Sequence, residues 1–312
     1  MNVLLVDEYA PHPKFFCKTT HMGNVTELTA MQKRSYGAPT VRIDKDHYKD
    51  LRSGCIHEYA HGESRADNAD SVRRTLATVR ALINCNVTVP QNCRWLTFTY
   101  AENMTDEKRL SADWKKFWQK FKRWCVRNYV DEPEFIGVVE PQGRGAWHMH
   151  VFFIWSHTAP YLDNNTVIAP MWGHGFTKTK SVTNCDNVGA YFSAYLGDMP
   201  LDEFQDLAPD ERATTFVINE KPVTDQDGQT VTKKIVKGGR LKLYPPGMNI
   251  VRSSKGVKRP TVEFSSYEEA QKKVCGQTQT FKAGYSLVGD DGNEVNQVYK
   301  EYYNAVRKDM QE

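Results

Sequence analysis

The chain has 312 residues, 40% hydrophobic and 25% charged, the balance of an ordinary globular protein with room for one large domain or two small ones. A formal charge of +3 does not by itself call for a nucleic-acid partner, so the distribution of charge has to decide. No run approaches about 18 apolar residues, which excludes a helix that spans a membrane. The seven cysteines are odd in number, scattered and without a CxxC pair, which fits reduced thiols in a cytoplasmic protein. The opening Met1–Lys14 has a short apolar patch but no basic flank, so no secretory signal is expected.

Residues 1–69 are polar and turn-rich, hold five of the nine histidines, and give no clear element. From 70 to 84 the pattern is helical, with Val72, Leu76, Val79, Leu82 and Ile83 on one face. Arg94–Tyr100 alternates aromatic, apolar and Thr residues and reads as a strand. A strong amphipathic helix is expected over 111–129. Its apolar positions are Leu110, Trp114, Phe117, Trp118, Phe121, Trp124 and Cys125, and its other faces carry Lys115, Lys116, Lys120, Lys122, Arg123 and Arg127.

Two strands follow, Phe135–Glu140 and Trp147–Trp155, joined by a Pro-Gln-Gly-Arg-Gly-Ala turn as a hairpin. Another strand is expected within Gly175–Val182, then a short helix over 188–197 capped by Asp186 or Asn187. The acidic stretch 198–211 reads as a surface insertion, and 214–236 as a hairpin around Asp227-Gly228. Residues 233–259 hold nine Lys or Arg, no Asp or Glu, and Tyr244, a composition suited to a DNA backbone. Asp290–Asn293 marks a last turn between strand-like runs. The domain reading is therefore an N-terminal segment 1–69, a core 70–200 and a C-terminal elaboration 201–312.

The chemistry concentrates at Trp147-His148-Met149-His150. On a strand, residues two apart share a face, so both imidazoles point one way. If the hairpin turn centres near Arg144, Glu140 lies directly opposite His148. Opposed Cβ atoms are roughly 4.5–5.5 Å apart, close enough for Glu140, His148 and His150 to meet at one ion. Three protein ligands leave open positions for water or substrate, as catalytic metal sites do. Mixed nitrogen and oxygen ligation suits Mn, Zn, Co or Ni, and Mg with fewer protein ligands. Tyr191 and Tyr195 lie four apart on the expected helix and share a face. A tyrosine is a competent nucleophile when a metal or base eases its deprotonation.

Three elements in order then carry a resemblance: Trp95–Tyr100, Trp147–His150 and Tyr191-Phe-Ser-Ala-Tyr195. They resemble the three motifs of rolling-circle replication initiators of plasmids and single-stranded DNA phages, within the HUH endonuclease superfamily, over roughly 94–198. The resemblance implies an α+β fold, a central antiparallel sheet flanked by helices (a ferredoxin-like endonuclease core) with N- and C-terminal elaborations and the histidine strand near its centre. It implies Mg or Mn held by Glu140, His148 and His150, and attack by Tyr191 or Tyr195 on an origin phosphodiester. The products would be a 5′-phosphotyrosine link and a free 3′-hydroxyl. It further implies single-stranded or hairpin origin DNA as partner and a bacterial cytoplasm as the setting. With no GxxxxGK[ST] loop in the chain, a host helicase and polymerase are expected to complete the work. Many relatives carry Lys in or after the tyrosine motif; here Phe-Ser-Ala follows Tyr191, and Lys178 or Lys180 is the candidate replacement. Asp198, three residues past Tyr195, reads as a surface carboxylate or a base for the closing step.

Competing readings are a relaxase or transposase of the same superfamily and a non-catalytic DNA-binding protein. His57-Glu58-Tyr59-Ala60-His61 matches HExxH, which needs a helix; Gly54 and Gly62 leave it barely two turns. Cys17, His21, Cys55 and His57 form a loosely spaced candidate zinc set.

Overall fold

The computed structural model describes residues 2–6, 8–34, 39–59, 69–128, 130–143, 145–182, 188–189, 198–208, 218–224, 230–236, 238–245 and 247–307. In chain order the strands are β1 (Asn2–Leu5), β2 (Phe16–Met22), β3 (Val25–Met31), β4 (Thr40–Arg42), β5 (His47–Asp50), β6 (Ile56–Glu58), β7 (Cys93–Phe98), β8 (Glu134–Pro141), β9 (Trp147–Ile154), β10 (Thr177–Lys180), β11 (Met199–Pro200), β12 (Ile218–Thr224), β13 (Thr230–Val236), β14 (Val251–Ser253), β15 (Thr261–Ser266), β16 (Thr278–Val288) and β17 (Glu294–Asn304). The helices are α1 (Ala69–Asn86), α2 (Glu107–Arg127), α3 (Ala169–Trp172), α4 (Leu201–Asp206) and α5 (Tyr267–Lys273). The fold is α+β with antiparallel sheets. Chain contacts divide it into two compact units, Met1–Glu63 with Thr261–Glu312, and Ser64–Pro260.

The Ser64–Pro260 unit is built on a five-stranded sheet in the order β10-β7-β9-β8-β14, which puts the histidine strand at its centre. Every pairing in it is antiparallel. Helix α2 covers one face. Asp106 caps it by accepting from the Lys108 and Arg109 backbone N–H groups at 2.7 and 3.1 Å, so the helix starts before the expected 111. Leu110, Trp114, Phe117, Phe121 and Cys125 recur at three- and four-residue steps and are buried. Phe98 of β7 meets Trp114 and Phe117 with ring centroids 5.7 and 4.7 Å apart, and Phe153 of β9 stacks on Phe121 at 4.8 Å. Each such ring contributes about 1.5–3 kcal/mol by burial. Asp113, buried on the same helix, accepts a hydrogen bond from the Tyr100 hydroxyl at 3.2 Å. Burial, with Asp113 next, raises the Tyr100 pKa.

Helix α1 adds Val79, Leu82 and Ile83 to this core. Asn84 accepts from the Gly189 N–H at 3.2 Å, and a Cβ on Gly189 would lie 2.7 Å from the Arg80 carbonyl oxygen, so only glycine fits there. Asn86 exchanges two hydrogen bonds with the Lys258 backbone, at 2.8 and 2.9 Å. The 198–211 stretch is no plain surface insertion. Met199, Phe204 and Leu207 form a small buried cluster with Val236, and the alternation of acidic and apolar residues there is the amphipathic pattern of a short helix. The expected hairpin forms from β12 and β13, with Thr224 opposite Thr230; its turn lies outside the described residues.

Residues 1–59, unreadable as sequence, supply six short strands. Three of them complete the other unit's six-stranded sheet, β1-β16-β17-β3-β2-β15. Helix α5, with a Ser266/Glu269 capping box, lies on one face of it over Cys17, Leu28, Ala30, Tyr299 and Tyr303. Buried Glu301 accepts from Tyr9 and Tyr267 hydroxyls at 2.8 Å and Tyr303 at 2.9 Å; burial and this carboxylate raise the pKa values of Tyr9 and Tyr267. The Asp290–Asn293 turn joins β16 to β17 as expected, with Gly292 at φ 79°. His57 and Glu58 belong to strand β6, not to a helix, which removes the HExxH reading. Cys17 is fully buried and His21 bonds Glu263 at 2.8 Å, while Cys55 is exposed; among the described residues no three His, Cys, Asp or Glu groups are placed to hold a metal, so the zinc set does not assemble.

Candidate active site

The hairpin β8–β9 sets the site. Its turn closes through Gln142 and Ala146, with Gly145 at φ 82°, a left-handed conformation that favours glycine. The resulting register places Glu140 opposite His148 and Val138 opposite His150. On the other side of β9, Thr97 of β7 lies opposite His150 and Trp95 opposite Phe152. Opposed residues share a face, so Glu140, His148, His150, Thr97 and Trp95 all stand on the face away from α2. Met149, Val151 and Phe153 take the helix-covered face and are buried.

His150 is held at both ring nitrogens. Nε2 lies 2.9 Å from Glu140 Oε2, and Nδ1 lies 3.1 Å from Thr97 Oγ1. A proton on Nε2 donates to Glu140 and leaves Nδ1 to accept from the threonine hydroxyl. With Nε2 given to a metal the roles reverse, and Nδ1–H donates to the same oxygen. The Trp95 ring packs edge-on at 6.1 Å. The His148 ring sits 6.3 Å from that of His150, with the planes at 78°.

Glu140 is held as firmly. Its other oxygen, Oε1, lies 2.9 Å from Arg240 Nε, and both side chains are 11% exposed. Arg240 also donates to the Asp198 carbonyl at 2.9 Å and the Pro141 carbonyl at 2.8 Å, and pairs with Glu203 at 3.0 Å. One guanidinium therefore ties the end of β8 to the chain leading into α4. The basic stretch 233–259 is thus not a uniform DNA-facing loop. Arg240 is committed within the site. Tyr244 is 1% exposed, its hydroxyl donating to the Val139 carbonyl at 3.0 Å, so it is a core residue rather than a base platform. Arg252 bonds Ser111 at 3.0 Å, and its pKa is lowered by burial.

These groups line a cleft of about 630 Å³ with Glu140, Gln142, Gly143, His148, His150, Glu203, Asp206 and Arg240 on its walls. Among the described residues of the cleft, three carboxylates face one guanidinium. Such a cleft attracts a cation and repels a bare phosphate. The donor chemistry suits a divalent ion, which the Glu140 carboxylate and His150 Nε2, 2.9 Å apart, would hold between them. His148 does not join that pair as placed: among the described residues no group of three potential ligands converges.

Residues 93–199 match the family model of the replication-associated protein ORF2 family. The match covers all of β7, α2, β8, β9 and β10, about a third of the chain, and makes this segment similar to replication-associated proteins. No curated protein and no solved structure matches the chain. No helix among the described residues is long and apolar enough to cross a membrane.

Tyr191 and Tyr195 lie outside the described residues. The flanks of their segment are described. Val188 is buried, Gly189 is bonded to Asn84, and the Asp198 carbonyl is bonded to Arg240 in the cleft. Lys178 and Lys180 are exposed and lie opposite Thr97 and Trp95, on the face of the histidines. Lys180 Nζ is 5.5 Å from the centre of the Trp95 ring, and burial lowers its pKa, with Lys178 adding to the effect. The basic face of α2 is partly engaged: Lys116 pairs with Asp113 and Lys122 with Glu132. Arg240, Glu203, Asp206 and Thr97 join the site without a mark in the sequence. The Thr97 position is visible there only as a strand opposite an unknown partner, and nothing local distinguishes Arg240 among eight other basic residues.

Proposed function

We propose that this chain initiates replication by nicking one DNA strand at an origin, with Tyr191 or Tyr195 as nucleophile. The observation that carries the reading is the Glu140–His148–His150 constellation on one sheet face, inside the segment that matches replication-associated proteins. Glu140 and His150 would hold a divalent ion, Mg or Mn, and His148 would join them by a change of side-chain rotamer. When bound, the ion polarises the scissile phosphate and offsets the cleft's carboxylates.

The chain's own residues supply the rest. Thr97 fixes the ring plane of His150 and Arg240 fixes Glu140, so neither donor has to be ordered when the cation arrives. The tyrosine hydroxyl gives up its proton as its oxygen attacks phosphorus, the bond to the 3′-oxygen breaks, and that oxygen takes up a proton to become the 3′-hydroxyl. The 5′-phosphate stays on the tyrosine. Lys178 and Lys180 stand on the same face to meet flanking phosphates, in place of the lysine absent after Tyr191. A second tyrosine four residues away would allow a second transfer. Incubating the chain with single-stranded origin oligonucleotides tests this: His148→Ala/His150→Ala should abolish a metal-dependent covalent adduct while leaving oligonucleotide binding within a few-fold. Undiminished adduct in that variant would refute the metal assignment.

A further inference from the structure

The six-stranded sheet of the other unit has one face covered by α5 and one that α5 does not cover, exposed at Phe264 and Phe281 and buried at Met22, Val25 and Asn304 beside the β2–β3 turn. On the uncovered face the cross-strand register forms rows. One row carries Phe264, Lys18 and Lys300. The rows on either side bring Phe16, and the pair Tyr302 and Phe281. Phe16 and Phe264 are stacked at 5.3 Å and 17°, with the Arg34 guanidinium 4.5 Å from the Phe16 ring centre. Phe264 is 57% exposed and Phe281 43%. Among the described residues of these rows, three cations, Lys18, Arg34 and Lys300, stand against one carboxylate, Glu27, which pairs with Lys300 at 3.3 Å.

We infer that this face binds single-stranded nucleic acid, with bases stacked on the aromatic rings and phosphates on the lysine row. Large aromatic rings at the surface of a sheet cost free energy unless something covers them. Their combination with a positive surplus fits a polyanion that carries flat apolar groups, which is an unpaired strand; a duplex hides its base faces. From Phe264 on β15 to Phe281 on β16 the rows cross four inter-strand spacings of about 4.8 Å, a platform roughly 19 Å wide and enough for a few nucleotides. The inference does not depend on the nicking reading. It uses a different unit of the chain and none of its site residues.

The test is fluorescence anisotropy of a labelled dT12 oligonucleotide with the full chain in EDTA, so that metal chemistry does not intrude. Phe16→Ala/Phe264→Ala should weaken binding about tenfold or more, since each base–ring stack is worth that order. Lys18→Ala/Lys300→Ala should flatten the dependence of log affinity on log salt by about 1.4. Phe264→Ala alone, at a ring already half in solvent, guards against misfolding and should show part of the loss. Photocrosslinks from a bromodeoxyuridine strand should fall on peptides of β2, β15 or β17. Unchanged dT12 affinity in both ring variants, or crosslinks confined to the Ser64–Pro260 unit, would overturn the inference whether or not a covalent adduct forms. Self-association through this face that the oligonucleotide does not compete away would overturn it too.

Discussion

Replacing Arg240 by Met tests the architecture of the cleft without touching a proposed ligand. The change leaves Glu140, 11% exposed, without its counter-ion, and frees Glu203, which is 42% exposed. Removing one partner of a buried ion pair costs about 3–5 kcal/mol, chiefly through the stranded charge. Glu203 can turn to solvent and Glu140 keeps His150, so the low end applies, about 3 kcal/mol. For a unit of this size that lowers the melting midpoint by roughly 6–12 °C. All seven tryptophans lie between 95 and 172, so tryptophan fluorescence during urea unfolding reports on the Ser64–Pro260 unit alone. Glu140→Gln in the Arg240→Met background removes the stranded charge and should recover about 1–2 kcal/mol, a coupling expected of touching residues. Additive losses, or an Arg240→Met variant within about 1 kcal/mol of the parent, would refute the argument that this guanidinium organises the site.

Thr97→Val keeps the shape beside His150 but removes the hydroxyl at Nδ1; the metal concentration for half-maximal adduct formation should rise about tenfold, with the urea midpoint unchanged. Gly189→Ala pushes a methyl against the Arg80 carbonyl and Asn84, and should destabilise the same unit by about 1–3 kcal/mol, read from its urea midpoint. Burial raises the thiol of Cys93 from its ordinary value near 9 to about 12, and that of Cys125 to about 11. The folded state therefore holds these protons longer than the unfolded one. Stability from them is intact below about pH 9 and is lost as pH rises toward 12. Ellman's reagent at pH 8 should accordingly modify exposed Cys55 and Cys275 quickly, and Cys93 and Cys125 only on unfolding.

The site's centre is legible in the sequence because its geometry is local. A short turn fixes a hairpin's register, so the sequence separation of Glu140 and His148 suffices to set them opposite each other. Period-two alternation likewise sorts His148 and His150 from Met149 and Val151, and three-and-four spacing finds the buried face of α2. What stays hidden is non-local. Arg240 lies a hundred residues from Glu140 in sequence and reads as one more cation in a basic run, though folding makes it an internal tie. Tyr244 reads with that run for the same reason, and its burial against Val139 follows from the path of the chain, not from its neighbours. The strands β2 and β3 pair with each other locally, but β17 and β15 beside them come from more than 200 residues later. Polar alternation in such short strands gives no signal until that pairing exists.

The central claim is tested most directly by mass spectrometry of the full chain incubated with Mn and single-stranded oligonucleotides tiled across its own replicon. The account predicts one oligonucleotide cut at one position, with its 5′-phosphate on a peptide holding Tyr191 or Tyr195, and no adduct in EDTA. An adduct on another residue, or none with any divalent metal, would contradict it.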